Sequence, residues 1–124
     1  MSDIQFFLSN LWRWKCGMKE KAKPEKAPEL LTIFKVNWSP AFEQFMRNRL
    51  AMGYFRYGPL NKQPKGLYDN VGSIRKRLAL FEKTGNDEIL VDIANLCMCE
   101  FVNGTHPTKH FKSVDDGIHV EQKG

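Results

Sequence analysis

Two polar side chains, Asp92 and Asn95, interrupt the apolar run ILVDIANLCMC, and Glu88 stands one turn upstream on the same stripe. Their spacing of four and then three places them on one stripe of a helix. A carboxylate set among apolar residues must be paired, hydrogen-bonded or open to a ligand. A second helical stretch, SIRKRLALFEK, carries the consecutive cations Arg75, Lys76 and Arg77. A guanidinium from it can pair with Asp92 and also fork onto a phosphate. Arg75 lies beside the stripe of Val71, Ile74, Leu78 and Phe81, so it is the expected partner of Asp92 or of a bound phosphate. Arg77 projects about 200° away from Arg75 and is expected to reach solvent. The bland alternative is a solvated basic face. A third group, Tyr54, Phe55, Arg56 and Tyr57 before Gly58-Pro59, mixes rings with a cation. That suits stacking on a base, or plugging the end of a bundle.

The remaining chemistry-bearing residues point less far. His106 and His110 have the i, i+4 spacing of a helical metal site, and Asp115 and Asp116 follow. No cysteine lies nearby and nothing supplies an activated nucleophile, so a turn network is the expected use. The three cysteines are Cys16, Cys97 and Cys99. An odd count closes no disulfide framework, which points to a reducing compartment. Cys97 and Cys99 diverge on a helix and read as small buried apolar residues.

The composition fits one domain. The chain has 124 residues, 42% hydrophobic and 27% charged, with a formal net charge of +5. Its mass is 14.4 kDa and its mean hydropathy -0.47. A wholly disordered chain and a multi-span membrane protein are both excluded by this balance. The basic excess suits a polyanion, a nucleotide or an acidic surface. No stretch is long enough to span a bilayer. MSDIQFFLSNLWRWKCGMK lacks the early positive charge and the cleavage site of a signal peptide. A cytoplasmic location is expected.

The elements that must position these residues fall in three parts. Residues 1–37 hold an amphipathic helix, with Ile4, Phe7, Leu8, Leu11 and Trp12 on one face, and the charged linker KEKAKPEKAPE. Such a helix either lies on a membrane or packs on protein, and packing is the expectation. The helical core starts at residue 38. Ser39-Pro40 opens its first helix, whose buried face is Phe42, Phe45, Met46 and Leu50 and whose end falls between Ala51 and Tyr54. GYFRYGPLNKQPKG reads as a loop. The second helix runs from Asn70 to Lys83 and stops at Thr84-Gly85. The third is capped by Asn86, has Asp87 and Glu88 in its first turn and ends at Asn103-Gly104. It is apolar almost all round and should be central. Residues 105–124 are polar and irregular.

Residues 40–102 resemble the MazG-like, all-α nucleoside-triphosphate pyrophosphohydrolases, especially small phage-encoded versions. FEQFMRNRLAMGYFRYG is similar to the family's opening helix, and LVDIANLCMCEF to its second acidic helix. The tail HPTKHFKSVDDG resembles uncharacterised phage proteins. The resemblance implies a homo-oligomeric helical bundle and two acidic pairs that hold Mg²⁺ against substrate phosphates. Asp92 and Asn95 match family positions. The first acidic pair is absent, because SIRKRLALFEK stands there, and Ile89 occupies the place of a further acid.

The sequence therefore predicts an all-α small helical bundle, a MazG-like core with a tethered N-terminal amphipathic helix. A homo-oligomer is expected. The expected function is a phage accessory protein in the host cytoplasm, with a counter-defence role as one setting. It would bind a nucleotide or nucleotide-derived ligand without metal catalysis, through Arg75, Asp92, Asn95, Glu88, Arg56, Tyr57 and Tyr54. No cofactor is expected. Two alternatives stand beside it: a divergent Mg²⁺-dependent pyrophosphohydrolase, and an inhibitor that grips a host protein or nucleic acid through a basic face.

Overall fold

The polypeptide folds into helices because its apolar residues recur at helical spacing and its caps fall at the right places. In the computed structural model, residues 27–115 and 117–123 are described. The helices are α1 (Leu30–Val36), α2 (Pro40–Tyr57), α3 (Asn70–Thr84) and α4 (Asp87–Asn103), with a 3-10 turn at Leu60–Lys62. Among the described residues there is no strand, and no helix is long and apolar enough to cross a membrane. The expected N-terminal amphipathic helix lies outside the described residues.

The chain divides into two units, one of them Ile33–Lys109. The other comprises Met1–Thr32 and His110–Gly124, and its described residues beyond 109 form neither helix nor strand. Within Ile33–Lys109, α4 is the spine: α3, α2 and the 3-10 turn all pack on it.

Local chemistry sets each boundary. The Ser39 hydroxyl accepts from the Phe42 N–H at 3.1 Å, and Pro40 follows in the first turn. Asp69 caps α3 by accepting from Gly72 N–H at 3.0 Å. Asn86 caps α4 by accepting from Glu88 N–H at 3.1 Å, with Asp87 and Glu88 in the first turn. Gly85 ends α3 in the left-handed region, φ 69° and ψ 17°, and its N–H reaches the Phe81 carbonyl.

One expectation needs correction. The first core helix does not end between Ala51 and Tyr54. It carries through Gly53 and the aromatics to Tyr57, and stops only at Gly58, φ 74°, before Pro59. A single mid-helix glycine costs about 1 kcal/mol and does not by itself end a helix. α1 forms from Leu30–Val36, directly after the charged segment.

Burial is thin. Among the described residues, Ile89 and Val91, at 8% and 5% exposure, are the buried hydrophobic ones, and Asn70 and Asn95 the buried polar ones. Cys97 is exposed and Cys99 half-buried, so the two cysteines are not the buried pair expected. They face opposite ways on α4, and only the side toward the other helices is covered. Polar ties supplement the packing. Asn70 Nδ2 donates to Glu100 Oε2 at 3.2 Å. Asn103 Nδ2 donates to the Leu60 carbonyl at 3.0 Å. Lys109 Nζ donates to the carbonyls of Glu100 and Phe101 at 3.0 and 2.8 Å, covering the negative end of α4.

The Gly85 conformation gives a test. A Cβ added there meets nothing within 4 Å, so Gly85→Ala isolates the cost of a left-handed backbone. That variant should lose about 1 kcal/mol and roughly 5 °C in Tm. Gly85→Asn should lose less, because asparagine tolerates this region. Equal stability of parent and Gly85→Ala in thermal denaturation would contradict the cap.

Candidate functional site

An arginine on α2 organises the polar part of the structure. Arg49 Nε donates to Asp92 Oδ1 at 3.1 Å, and Nη2 to Oδ2 at 3.4 Å. Its Nη1 lies 3.0 Å from Glu88 Oε1. One guanidinium thus joins two carboxylates one turn apart on α4. The Asp92 carboxylate beside it holds the Arg49 pKa above its ordinary value, chiefly through the hydrogen bond. The Arg49, Glu88 and Asp92 side chains are 39%, 55% and 22% exposed, so the bridge is partly wet and weaker than a buried one.

Sequence reasoning assigned Asp92 to Arg75, and this is corrected: Arg75 is exposed on α3, and Arg49 holds the carboxylate. The cause is the rotation of α3. At about 100° per residue, Asn70, Ile74, Arg77 and Phe81 share a face, and these four are buried or half-buried. Val71 and Leu78 sit to one side of that face and stay exposed. Arg77 therefore points inward and Arg75 outward, the reverse of the expectation. Arg49 itself carried a legible signal. It stands on the stripe of Phe42, Met46 and Gly53, where a cation needs a partner, whereas Arg47 lies opposite and pairs with Glu43 at 3.1 Å.

Beside the bridge lies an open cavity of about 600 Å³ within Ile33–Lys109. Its cations are Arg49, Arg56 and Arg77, and its one carboxylate is Asp92. Its rings are Tyr54, Tyr57 and Tyr68. The last turn of α2, not a loop, carries Tyr54, Arg56 and Tyr57. Tyr57 and Tyr68 meet edge to face at 5.5 Å between centroids. The Arg56 guanidinium lies 5.9 Å from the centroid of the Tyr57 ring. Phe55 meets Tyr54 edge to face but does not line the cavity.

Asn95 also lines this cavity. Its Nδ2 donates to the Met46 carbonyl at 3.1 Å, which fixes the amide so that Oδ1 is the other end. That oxygen is buried and has no hydrogen-bond partner among the described residues. Such an acceptor costs about 1–3 kcal/mol unless something donates to it.

Of the seven residues expected to bind ligand, the cavity wall brings together Tyr54, Arg56, Tyr57, Asp92 and Asn95. Glu88 stands on the far side of Arg49, against a second groove, and Arg75 is outside both. Arg49, Tyr68 and Arg77 are members that sequence reasoning missed. Nothing in the sequence marks Tyr68, whose place depends on the course of residues 58–69. Cys99 lines the cavity too, and burial pushes its thiol pKa up. His106 Nδ1 is engaged by Thr108 in a turn, not on a helix. No cluster of three His, Cys, Asp or Glu residues fit to hold a metal occurs among the described residues.

No family model, no curated protein and no solved structure matches this chain. What is shown is a small all-α domain, and the chemistry of the cavity has to be read from its own residues.

The bridge sets two expectations. In urea denaturation, Arg49→Met should lose about 1–2 kcal/mol, because it strands Asp92. Glu88→Gln should lose less than about 0.5 kcal/mol and Arg75→Glu should be neutral. A loss in Arg75→Glu equal to that in Arg49→Met would contradict the pairing. In site-resolved alkylation at pH 8, Cys97 should react ahead of Cys99, whose thiol is half-buried and holds its proton.

Proposed function

We propose that the cavity binds a nucleotide or nucleotide-derived anion without a metal-dependent reaction. The observation that carries this reading is the wall itself. Three guanidiniums face one carboxylate, and three tyrosine rings stand among them. Guanidiniums fork onto phosphate oxygens, and exposed rings stack on a base. Asp92 does not oppose an anion strongly, since Arg49 takes both of its oxygens. The unpartnered Oδ1 of Asn95 supplies an acceptor for an N–H or amino group of a base.

The resemblance of residues 40–102 to MazG-like pyrophosphohydrolases supports the same ligand class. It also supplies the second reading, a divergent Mg²⁺-dependent hydrolase. That reading needs several oxygen ligands for the ion, and the wall offers Asp92, already bound by Arg49. Guanidinium neutralisation of phosphate replaces the ion in the first reading. A phage accessory protein working in a host cytoplasm, by sequestering a small-molecule signal, is the setting we propose. Grip on a host protein or nucleic acid through the basic residues is the remaining alternative.

Thermal shift and calorimetry with nucleoside mono-, di- and triphosphates and cyclic dinucleotides separate these readings. Binding should persist in EDTA and be unchanged by Mg²⁺. Arg77→Glu should weaken it by about 100-fold, since it exchanges a favourable charge for a repulsive one. Arg75→Glu should leave it within about threefold, because exposed charges act only through screened space. Mg²⁺-dependent release of pyrophosphate would favour the hydrolase. No binding across the panel would sink the nucleotide reading.

A further inference from the structure

The cavity wall holds three carboxamides, and each has its nitrogen committed. Asn70 Nδ2 donates to Glu100 Oε2 at 3.2 Å, and Gln63 Nε2 to the Tyr57 carbonyl at 3.4 Å. Asn95 Nδ2 donates to the Met46 carbonyl at 3.1 Å. Among the described residues, Asn95 Oδ1 is the buried side-chain polar atom left without a hydrogen-bond partner. The residue is 8% exposed, so this acceptor is set into the wall and not spread over it. Leu50 of α2 and Leu96 of α4 line the same wall, and their side chains bring no donor to it.

We propose that Asn95 makes the cavity select a nucleotide whose base carries an exocyclic amino group, adenine or cytosine, over its oxo counterpart, hypoxanthine or uracil. This rests on the nucleotide reading of the cavity and names the part of the ligand that reading leaves open. A free carboxamide reads amino and oxo groups alike, because it turns over to offer its nitrogen or its oxygen. The Met46 carbonyl removes that freedom. It accepts and cannot donate, so turning the amide over would set two oxygens against each other. Asn95 therefore offers the cavity an acceptor and nothing else.

The amino group of adenine or cytosine stands out from the ring edge and carries its hydrogens there. It suits an oxygen that lies in the wall. Hypoxanthine and uracil carry a carbonyl at the same ring position. Two acceptors would then meet away from water, and both would lose their partners. The ring N–H of an oxo base does not repair this, because a carbonyl stands directly beside it and reaches the wall with it. The cations of the cavity play no part in this choice, since amino and oxo nucleotides carry the same phosphates.

Calorimetric titration of the full chain in EDTA with ATP, ITP, CTP and UTP tests it. The parent should bind ATP about 10–100-fold more tightly than ITP, or CTP than UTP by the same factor if the cavity takes the smaller ring. Asn95→Leu should bring the two members of each pair within about threefold. Arg77→Glu should weaken both members alike and leave their ratio unchanged. Circular dichroism checks the fold of each variant. If Asn95→Leu fails to fold, the nitrogen-15 spectrum of the parent gives the readout without substitution. The Asn95 side-chain amide should shift with the amino nucleotide and not with its oxo partner at equal saturation. Equal binding of amino and oxo partners by the parent overturns the proposal and leaves the nucleotide reading standing. Discrimination that survives in folded Asn95→Leu overturns it as well. No binding of any of the four overturns it too, and the wider nucleotide panel then decides the broader reading.

Discussion

The guanidinium of Arg49, held between Asp92 and Glu88, is the interaction on which the arrangement of α2 and α4 turns. Those two helices share modest packing, and the bridge sets their rotation about each other. It also explains why an aspartate is tolerable in ILVDIANL at all. Asp92 is mostly covered, and a carboxylate so placed needs a cation or a donor beside it. The same guanidinium divides the surface between two recesses, with Asp92 on the cavity side and Glu88 on the groove side. Moving Arg49 would therefore alter both at once.

The thin core gives this bridge its weight. A helical unit of this size depends on covered apolar area, yet among the described residues only Ile89 and Val91 are buried hydrophobic ones. The ties at the other end of α4 are polar: Asn70 to Glu100, Asn103 to the Leu60 carbonyl, Lys109 to the last carbonyls. Each contributes about 1 kcal/mol net and fixes direction more than it adds stability. The loop after α2 is secured in the same way, since Gly66 N–H donates to the Asn103 carbonyl at 2.9 Å. Gly66 has φ 73°, and a Cβ there would press on the Thr105 side chain, so two constraints demand glycine at one position.

Caps and breaks were legible in the sequence because they are local. Ser39-Pro40, Asn86 with its two acids, and Gly85 act through atoms a few residues apart. Rotation about a helix axis was less legible. For α3, the stripe of Val71, Ile74, Leu78 and Phe81 is a true apolar row. The covered face nevertheless includes Asn70, Ser73 and Arg77 and leaves out Val71 and Leu78. Ile74 and Phe81 belong to both, so hydrophobicity alone selects a face rotated by about 50° from the covered one. The aromatic run after Gly53 misled in the other direction, since composition suggested a loop where the backbone stays helical to Gly58. Tyr68 reaches the site through a loop of residues with no periodicity, and no pattern within the chain announces it.

On α2, Met46, Leu50 and Gly53 are half-buried, whereas Phe42, Phe45 and Met52 on the adjacent row are exposed. Arg49 stands between the two rows. An arginine at that boundary serves both sides: its stem lies along apolar neighbours, and its guanidinium ties down two carboxylates of α4. Its place follows from the geometry of the helix as much as from the charge of its partners.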